Sequence, residues 1–232
     1  MLYGRKPIGT VGYLGGVPAN LEAFTWAWGQ LIQYNALYLC REGQRVHYIR
    51  SKHSFHSIAR NQLANDAIGK WLLMLDIDHT FEPDVCVRLL RFMNIFNLDV
   101  LSAMYFHKDP PHIPIMFKHD EENKAMRNIG VWDKGVKVVK VDSTGGGTLL
   151  VRTEVFRRIR KELKEEPFDI IAPYGEDHSF ALRLQKLGID TWCSPVVESG
   201  HLKVSEITSK NYDASVLDKM GAFTSCETIG YQ

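Results

Sequence analysis

The sequence lacks the features that would assign it at once to a disulfide-rich, zinc-finger, secreted or membrane class. Its four cysteines, Cys40, Cys86, Cys193 and Cys226, form no C-x-x-C pair and no zinc-finger spacing, which favours reduced, buried thiols. No apolar run reaches the roughly 20 residues of a membrane-spanning helix, and the N-terminus carries no apolar secretory signal. We therefore expect a cytoplasmic protein without a membrane span, made in a bacterium or a virus-infected cell.

A strong net charge is also missing. Lys and Arg number 28 and Asp and Glu number 27, so the formal net charge is +1 and no global field attracts nucleic acid. We therefore expect no stable nucleic-acid partner. The length of 232 residues and the hydrophobic fraction of 45% are ordinary, and they predict one globular domain with a substantial core.

Apolar strands alternate with helical patterns in the first part of the chain. Strands are predicted at 7–13, 45–50 and 71–75, with helices at 21–39 and 54–69 between them. This alternation predicts a parallel sheet with right-handed crossovers. Ligands of such sheets bind at the carboxyl ends of the strands, so the residues that follow each strand are candidate site residues.

The third predicted strand, "WLLML", leads directly into two carboxylates, Asp76 and Asp78. Like charges this close repel each other unless a ligand binds beside or between them. Two classes of enzyme end a strand in this way. In one class Asp76 would attack a phosphate and Asp78 would act as acid and base. In the other class the pair holds a divalent cation and a nucleotide.

The string "DIDHT" matches the D-x-D-x-T motif of haloacid-dehalogenase-type phosphatases, but its context does not. That motif normally ends the first strand of the fold, whereas two strand–helix units precede it here. The family also needs a later acidic metal motif of the G-D-x-x-x-D kind, and "GEDHSFALR" lacks the third acidic residue. The phosphatase interpretation therefore stays as an alternative.

Further strings surround the D-x-D: "ARNQLANDAI" before it, and "STGGGTLLVRTEVF", "GEDHSFALRLQKLG" and "ESGH" after it. In this order the chain resembles the family 2-like glycosyltransferases of the GT-A fold, including phage-encoded members, over most of residues 7–203. The resemblance implies an α/β fold of the GT-A type, with one Rossmann-like domain over 1–232 and a mainly parallel central sheet flanked by helices. It also implies a nucleotide-binding half at about 1–104, an acceptor and catalytic half at about 105–204 and a C-terminal tail at 205–232.

The resemblance implies roles for five residues. Asp78 would ligate a metal, Asp76 would contact the metal or the ribose, and His201 would complete the metal shell. An imidazole beside carboxylates suits manganese, with magnesium as the alternative. One of Glu176 and Asp177 would be the catalytic base, and the pattern points to Asp177. Both acids would also be favoured by the dipole at a helix N-terminus without any catalytic role.

Two pairs of residues are candidates for binding the nucleotide. Arg60 and Asn61 could contact the base or the diphosphate, or they could lie on a solvated helix face. Gly12 and Tyr13 end the first strand and could line a base pocket, where Tyr13 would stack on the base. A tyrosine packed into the core is the alternative.

Three consecutive glycines, residues 145–147, lie between two predicted strands. Glycine permits positive φ and close approach of a ligand to the backbone. In the resembling enzymes this segment lies under the donor sugar, so Gly146 and Gly147 are candidate donor contacts. A plain hairpin turn is the alternative.

These roles imply a metal-dependent hexosyltransferase that moves a sugar from a nucleotide sugar, expected to be UDP-linked, to a hydroxyl acceptor with inversion. A glycan, a small molecule or a hydroxymethylated DNA base would each serve as the acceptor. Besides the phosphatase, a nucleotidyltransferase is an alternative, although "GTVGYLGGVPAN" lacks the arginine of its G-x-G-x-R signature. A third alternative is a non-catalytic carbohydrate-binding protein. Evidence against it is the presence together of Asp76, Asp78, Asp177 and His201.

Overall fold

The computed structural model describes residues 6–14, 21–40, 45–53, 55–203, 206–209 and 228–229. The loop "GGVPAN" and most of the predicted tail lie outside these residues. The helices of the described part are α1 Leu21–Tyr38, α2 His56–Asp66, α3 Val85–Ile95, α4 Thr153–Arg158 with a π-helical continuation over Ile159–Leu163, and α5 Glu176–Lys186. In this part of the chain, no helix combines the length and the apolar character needed to span a bilayer.

The strands of the described part are β1 Gly9–Tyr13, β2 Val46–Arg50, β3 Trp71–Leu75, β4 His79–Phe81, β5 Val100–Met104, β6 Met116–Asp120, β7 Ala125–Asn128, β8 Val138–Val141, β9 Ser143–Thr144, β10 Thr148–Arg152, β11 Thr191–Leu202, β12 Glu206–Ile207 and β13 Thr228–Ile229. A central sheet has the order β13-β8-β11-β5-β10-β3-β1-β2, with β4 and β12 paired to β11. A smaller sheet has the order β7-β6-β9.

The strand directions confirm the predicted α/β fold with helices flanking a central sheet. The pairs β1–β2 and β1–β3 are parallel, as expected for strands joined by helical crossovers, and β5 and β11 are also parallel although five strands lie between them in the chain. The sheet becomes mixed at β10, which lies antiparallel between β3 and β5. β10 follows the excursion of residues 107–135 and two further strands, so no helical crossover fixes its direction.

β3 shows why the centre of the sheet is apolar on both faces. Its five side chains are all buried, and they alternate between two layers. Leu73 and Leu75 pack in the layer that contains α1 and α3, whereas Leu72 and Met74 pack in the layer that contains α2, α4 and α5. Each fully buried side chain of this size stabilises the fold by about 1.5–3 kcal/mol. Asp76 therefore stands where a doubly covered strand leaves the core.

Two segments differ from the element boundaries that the sequence predicts. Residues 136–152 form three strands, and β9 pairs with β6 while β10 pairs with β3 and β5. The hairpin alternative for the triple glycine is therefore wrong, because the strands on its two sides belong to different sheets. α2 ends at Asp66 rather than at Gly69, which has a φ of +99° in the turn before β3. A Cβ at Gly69 would lie 2.5 Å from the backbone nitrogen of Gly9, so this turn requires glycine.

Candidate active site

The pairing of β4 with β11 brings the D-x-D turn against the "ESGH" segment. The two strands are antiparallel, and His79 lies opposite His201. Their imidazole rings stack with centroids 4.6 Å apart and planes inclined by 18°. The backbone nitrogen of Leu202 donates to the carbonyl oxygen of Asp78 at 2.7 Å. Two motifs that are distant in the sequence therefore meet at one edge of the central sheet.

Asp78, His79 and His201 form a cluster that fits a divalent cation. One ligand atom from each residue lies within 4.8 Å of the others. His201 Nδ1 donates to the carbonyl of Phe106 at 2.7 Å, which leaves a lone pair on Nε2, 3.6 Å from Asp78 Oδ2. A backbone carbonyl that fixes the tautomer of a ligating histidine is a regular feature of metal sites. Carboxylate and imidazole together suit manganese.

His79 is the member of this cluster that the sequence interpretation missed. Its side chain is 1% exposed, and Nδ1 donates to Asp78 Oδ1 at 3.1 Å. Its Nε2 is buried without a hydrogen-bond partner among the described residues. An unpaired buried nitrogen costs free energy in the folded state, which favours a ligand-binding role over a purely structural one. The position of His79 directly after the D-x-D was the signal that could have identified it.

The carboxylate of Asp78 is surrounded by positive or hydrogen-bonding groups. Burial raises the pKa of Asp78, but the neighbouring His201, His79 and Lys108 side chains outweigh it and hold the pKa well below its usual range. Lys108 Nζ donates to Asp78 Oδ2. The carboxylate therefore stays ionised at physiological pH, which is the state that a divalent cation binds.

A second network is built around Arg60, whose side chain is 2% exposed. Its Nη2 donates to both carboxylate oxygens of Asp76 at 3.0 Å, and its Nη1 donates to the carbonyl of Gly146 at 2.8 Å. Its Nε donates to Glu176 Oε1 at 3.4 Å. Burial lowers the pKa of Arg60, but the Asp76 and Glu176 carboxylates more than compensate and hold it above its usual value. The alternative of a solvated surface arginine is therefore wrong.

This network separates the two aspartates of the D-x-D. Asp76 is bound to Arg60 and lies outside the cluster of Asp78, His79 and His201. The guanidinium of Arg60 balances the charge of Asp76 and so reduces the repulsion between the Asp76 and Asp78 carboxylates. The geometry thus gives Asp78 the cation cluster and leaves Asp76 beside it, in contact with a buried arginine.

The two acids that open α5 have different surroundings. Glu176 faces Arg60 and lies 3.6 Å from His56 Nδ1. Asp177 Oδ1 accepts a hydrogen bond from the backbone nitrogen of His178 at 2.7 Å, and the Asp177 side chain is 27% exposed. Because the carboxylate of Glu176 pairs with the buried guanidinium of Arg60, Asp177 is the better candidate for a general base.

His178 adds a group next to Asp177 that the sequence interpretation did not consider. Its Nδ1 shares a hydrogen bond of 2.8 Å with Ser143 Oγ, and its ring meets the ring of Phe117 edge-on at 4.6 Å. Burial lowers the pKa of His178 more than the neighbouring Asp177 and Glu176 raise it. A neutral imidazole is therefore expected beside Asp177 at neutral pH.

The glycines at 145–147 leave room for side chains of the site. None of the three has a positive φ, so the left-handed conformation that glycine permits is not used here. A Cβ at residue 145, 146 or 147 would lie 1.9 Å from Tyr105 Oη, 2.4 Å from Arg60 Cζ or 2.4 Å from His79 Cε1, respectively. Real Cβ atoms do not approach other atoms this closely. The glycine run therefore lets three site residues pack against the backbone.

Asn61 does not join its neighbour Arg60 in the network. Its Oδ1 accepts from the backbone nitrogen of Phe168 at 2.9 Å, and its Nδ2 donates to Asp169 Oδ1 at 2.9 Å. Both ends of the amide thus tie α2 to the loop that precedes α5. In this structure Asn61 therefore connects two segments of the protein, and its contact with a nucleotide stays a prediction.

Gly12 and Tyr13 lie at the carboxyl end of β1, as predicted, but they are packed against protein. The Tyr13 ring meets the Trp28 ring at 4.9 Å with planes inclined by 65°. A Cβ at Gly12 would lie 2.9 Å from Leu63 Cδ2. The packed alternative therefore describes Tyr13 in this structure, and a role in a base pocket stays a prediction for both residues.

Comparison with known proteins shows which family and which solved structures this chain is similar to. Residues 33–144 match the family described as glycosyl transferase family 2. The structure is similar to A197 from STIV, with 15% identity, a TM-score of 0.50 and coverage of 96% of this chain and 97% of that one. It is also similar to GalNAc-T7 solved with UDP, GalNAc and Mn²⁺, with 12% identity, a TM-score of 0.56 and coverage of 84% of this chain. No curated protein sequence matches the chain significantly.

These findings confirm the resemblance to family 2-like glycosyltransferases and the GT-A type of α/β fold. The family match includes the D-x-D strand and ends at residue 144, before α5 and β11. The chain spans 43% of the GalNAc-T7 structure. The likeness to phage-encoded members stays a prediction.

Proposed function

We propose that this chain is a glycosyltransferase that uses Mn²⁺ or Mg²⁺ to transfer a sugar from a nucleotide sugar to a hydroxyl acceptor, with inversion. The observation that carries the proposal is the meeting of Asp78 with His79 and His201 at the edge of a GT-A-type sheet. GalNAc-T7, which shares the fold, was solved with UDP, GalNAc and Mn²⁺, and this supports a UDP-linked donor and manganese for the present chain.

Asp78 and His201 would hold the cation, with the orphaned Nε2 of His79 as a third candidate ligand. A bound cation stabilises the negative charge that develops on a departing diphosphate. Asp76, which accepts two hydrogen bonds from Arg60, would contact the ribose of the donor. The buried arginine thereby holds one carboxylate of the D-x-D in place.

Asp177 would act as the general base. The acceptor oxygen attacks the anomeric carbon and passes its proton to the Asp177 carboxylate, while the bond from that carbon to the donor phosphate breaks and its electron pair leaves with the diphosphate. Attack from the face opposite the leaving group inverts the anomeric carbon. Asp177 suits this role because Glu176, its neighbour, is bonded to Arg60, whereas Asp177 keeps partial exposure.

The remaining parts of the proposal rest on the sequence. We place nucleotide binding in about residues 1–104 and acceptor binding and catalysis in about 105–204, within one domain. The acceptor is a hydroxyl compound whose class is open, and we expect a cytoplasmic enzyme. The phosphatase alternative is less well supported, because both oxygens of Asp76 accept hydrogen bonds from the buried Arg60 guanidinium, which lowers the nucleophilicity of this carboxylate.

A panel of nucleotide sugars tests the proposed function. We expect one donor to be turned over, by transfer to added hydroxyl compounds or to water, with Mn²⁺ present and not after chelation. Asp78→Asn should abolish this turnover. Asp142→Asn is the matched control. Asp142 also pairs with a lysine, and its side chain is 28% exposed against 30% for Asp78, but it is not part of the cation cluster.

Two results would contradict the proposal. Full turnover by protein that elemental analysis shows to be free of metal would remove the role of the Asp78 cluster. Release of inorganic phosphate from phosphomonoesters, without turnover of any sugar donor, would favour the phosphatase instead.

A further inference from the structure

A lysine already stands at the candidate cation site. Lys108 Nζ donates to Asp78 Oδ2, and the same oxygen lies 3.6 Å from His201 Nε2. Lys108 is 30% exposed, so its ammonium group reaches the carboxylate from the solvent side. Between solvent-exposed groups such an ion pair contributes little to stability. At this position, however, it places a positive charge where the proposed cation would bind.

The turn that carries Lys108 is fastened to the strand that carries His201. Asp109 pairs with Lys203, which follows directly after β11. The turn is also closed on itself, because His112 N donates to the carbonyl of Asp109 at 3.0 Å and His112 Nδ1 bonds to the carbonyl of His107 at 2.9 Å. The hydrogen bonds of His112 therefore give the turn a defined shape, and this turn places Lys108 near Asp78.

A divalent cation and an ammonium group cannot share Asp78 at these distances without strong repulsion. A cation on Oδ2 would sit within a few ångströms of Nζ, where like charges repel by several kcal/mol at the effective dielectric constant near a protein surface. Lys108 must therefore withdraw when the cation binds. Its flexible four-carbon stem permits this withdrawal without unfolding the turn.

We propose that Lys108 changes partners: it neutralises Asp78 in the metal-free protein, and once a cation displaces it, it binds the diphosphate of the nucleotide donor. This inference rests on the proposed function. An ammonium group that has lost its carboxylate and stands beside a cation site lies where the anionic phosphates arrive, and ammonium is a common ligand of phosphate. Lys108 thus weakens the binding of the cation alone and strengthens the binding of cation and nucleotide together.

Titration calorimetry on Lys108→Met tests both halves of the inference, with MnCl₂ alone and then with UDP at saturating Mn²⁺. We expect Mn²⁺ to bind the variant about five- to tenfold more tightly and UDP to bind the Mn²⁺-loaded variant about tenfold more weakly than the wild type. Lys118→Met is the matched control, since Lys118 pairs with Asp142 and is 25% exposed. It should change neither affinity.

Lys108→Arg keeps the charge and should keep Mn²⁺ affinity near the wild-type value, and circular dichroism should show that each variant is folded. Unchanged Mn²⁺ affinity in Lys108→Met, or a loss of both affinities together, would overturn the partner exchange. If Mn²⁺ binds the wild type but Lys108→Met does not show the two opposite shifts in affinity, the inference fails and the proposed function stands. Wild-type protein that binds neither Mn²⁺ nor Mg²⁺, even with UDP present, overturns the proposed function as well.

Discussion

The substitution Gly146→Ala should damage the fold through one buried side chain. Its Cβ would lie 2.4 Å from Arg60 Cζ and 2.6 Å from each Nη, whereas ordinary carbon contacts begin near about 3.5 Å. The guanidinium must therefore retreat by about 1 Å. The end of a long side chain normally yields easily, but Arg60 is 2% exposed and has no solvent into which it can retreat.

The retreat would lengthen the hydrogen bonds to Asp76, now 3.0 Å, beyond the range in which they hold. Breaking a buried ion pair by removing one partner costs about 3–5 kcal/mol, and a displaced partner retains some of that interaction, so we expect a loss of about 3 kcal/mol in the free energy of unfolding. For a chain of this length the loss corresponds to a decrease of about 6–12 °C in Tm.

Thermal and urea denaturation of the variant provide the measurement, and Gly29→Ala provides the control. Gly29 lies within α1, and a Cβ there meets no atom within 4 Å. Alanine at that helical position should therefore stabilise the protein by about 0.5–1 kcal/mol. The two identical substitutions are expected to have opposite signs. A Gly146→Ala protein within about 0.5 kcal/mol of the wild type would refute the tightly held Arg60 network.

Three further predictions concern the chemistry. Asp177→Asn should reduce sugar transfer by roughly two to four orders of magnitude with little change in donor binding, and near-wild-type transfer would make Glu176 the candidate base. The product of the wild-type enzyme should have the anomeric configuration opposite to that of the donor, as measured by NMR. Asp76 should carry no acyl-phosphate in mass spectra of a quenched reaction, and a stoichiometric phosphate on Asp76 would refute the glycosyltransferase assignment. Because burial lowers the pKa of His178, its imidazole should titrate below the usual 6.5, and NMR can follow this titration with His178→Gln to assign the signal. The contribution of the neutral imidazole to the stability of the fold is therefore lost as the pH falls through and below 6.5. A midpoint above 6.5 would contradict the buried environment.

The sequence predicted the parts of the site that local pattern determines. The apolar run of β3 identified a strand covered on both faces, and the carboxylates at its end could be placed at the ligand-binding edge of the sheet. The order of the motifs pointed to His201, and the structure brings His201 next to Asp78. The positions of these residues could be predicted because a strand end and the order of motifs can be read from the sequence, whereas their roles stay predictions.

The parts that the sequence did not predict depend on long-range pairing. His79 meets His201 through the register of β4 and β11, which the three residues of β4 and the polar end of β11 do not reveal. The sequence allowed Arg60 to be either a surface residue or a nucleotide contact. Its burial depends on hydrogen bonds to Asp76 and Gly146, which belong to other segments of the chain. Lys108 lies in a polar excursion where the sequence gives no sign of its partner.

The most direct test of the account is the position of bound manganese. Crystals grown with MnCl₂ and UDP should show an anomalous difference peak at the manganese edge within roughly 2.0–2.4 Å of the Asp78 carboxylate and of His201 Nε2, with the UDP diphosphate beside it. A map with ordered UDP and no manganese at Asp78 and His201, or with manganese at a different set of residues, would contradict the assignment of this cluster as the metal site of a glycosyltransferase.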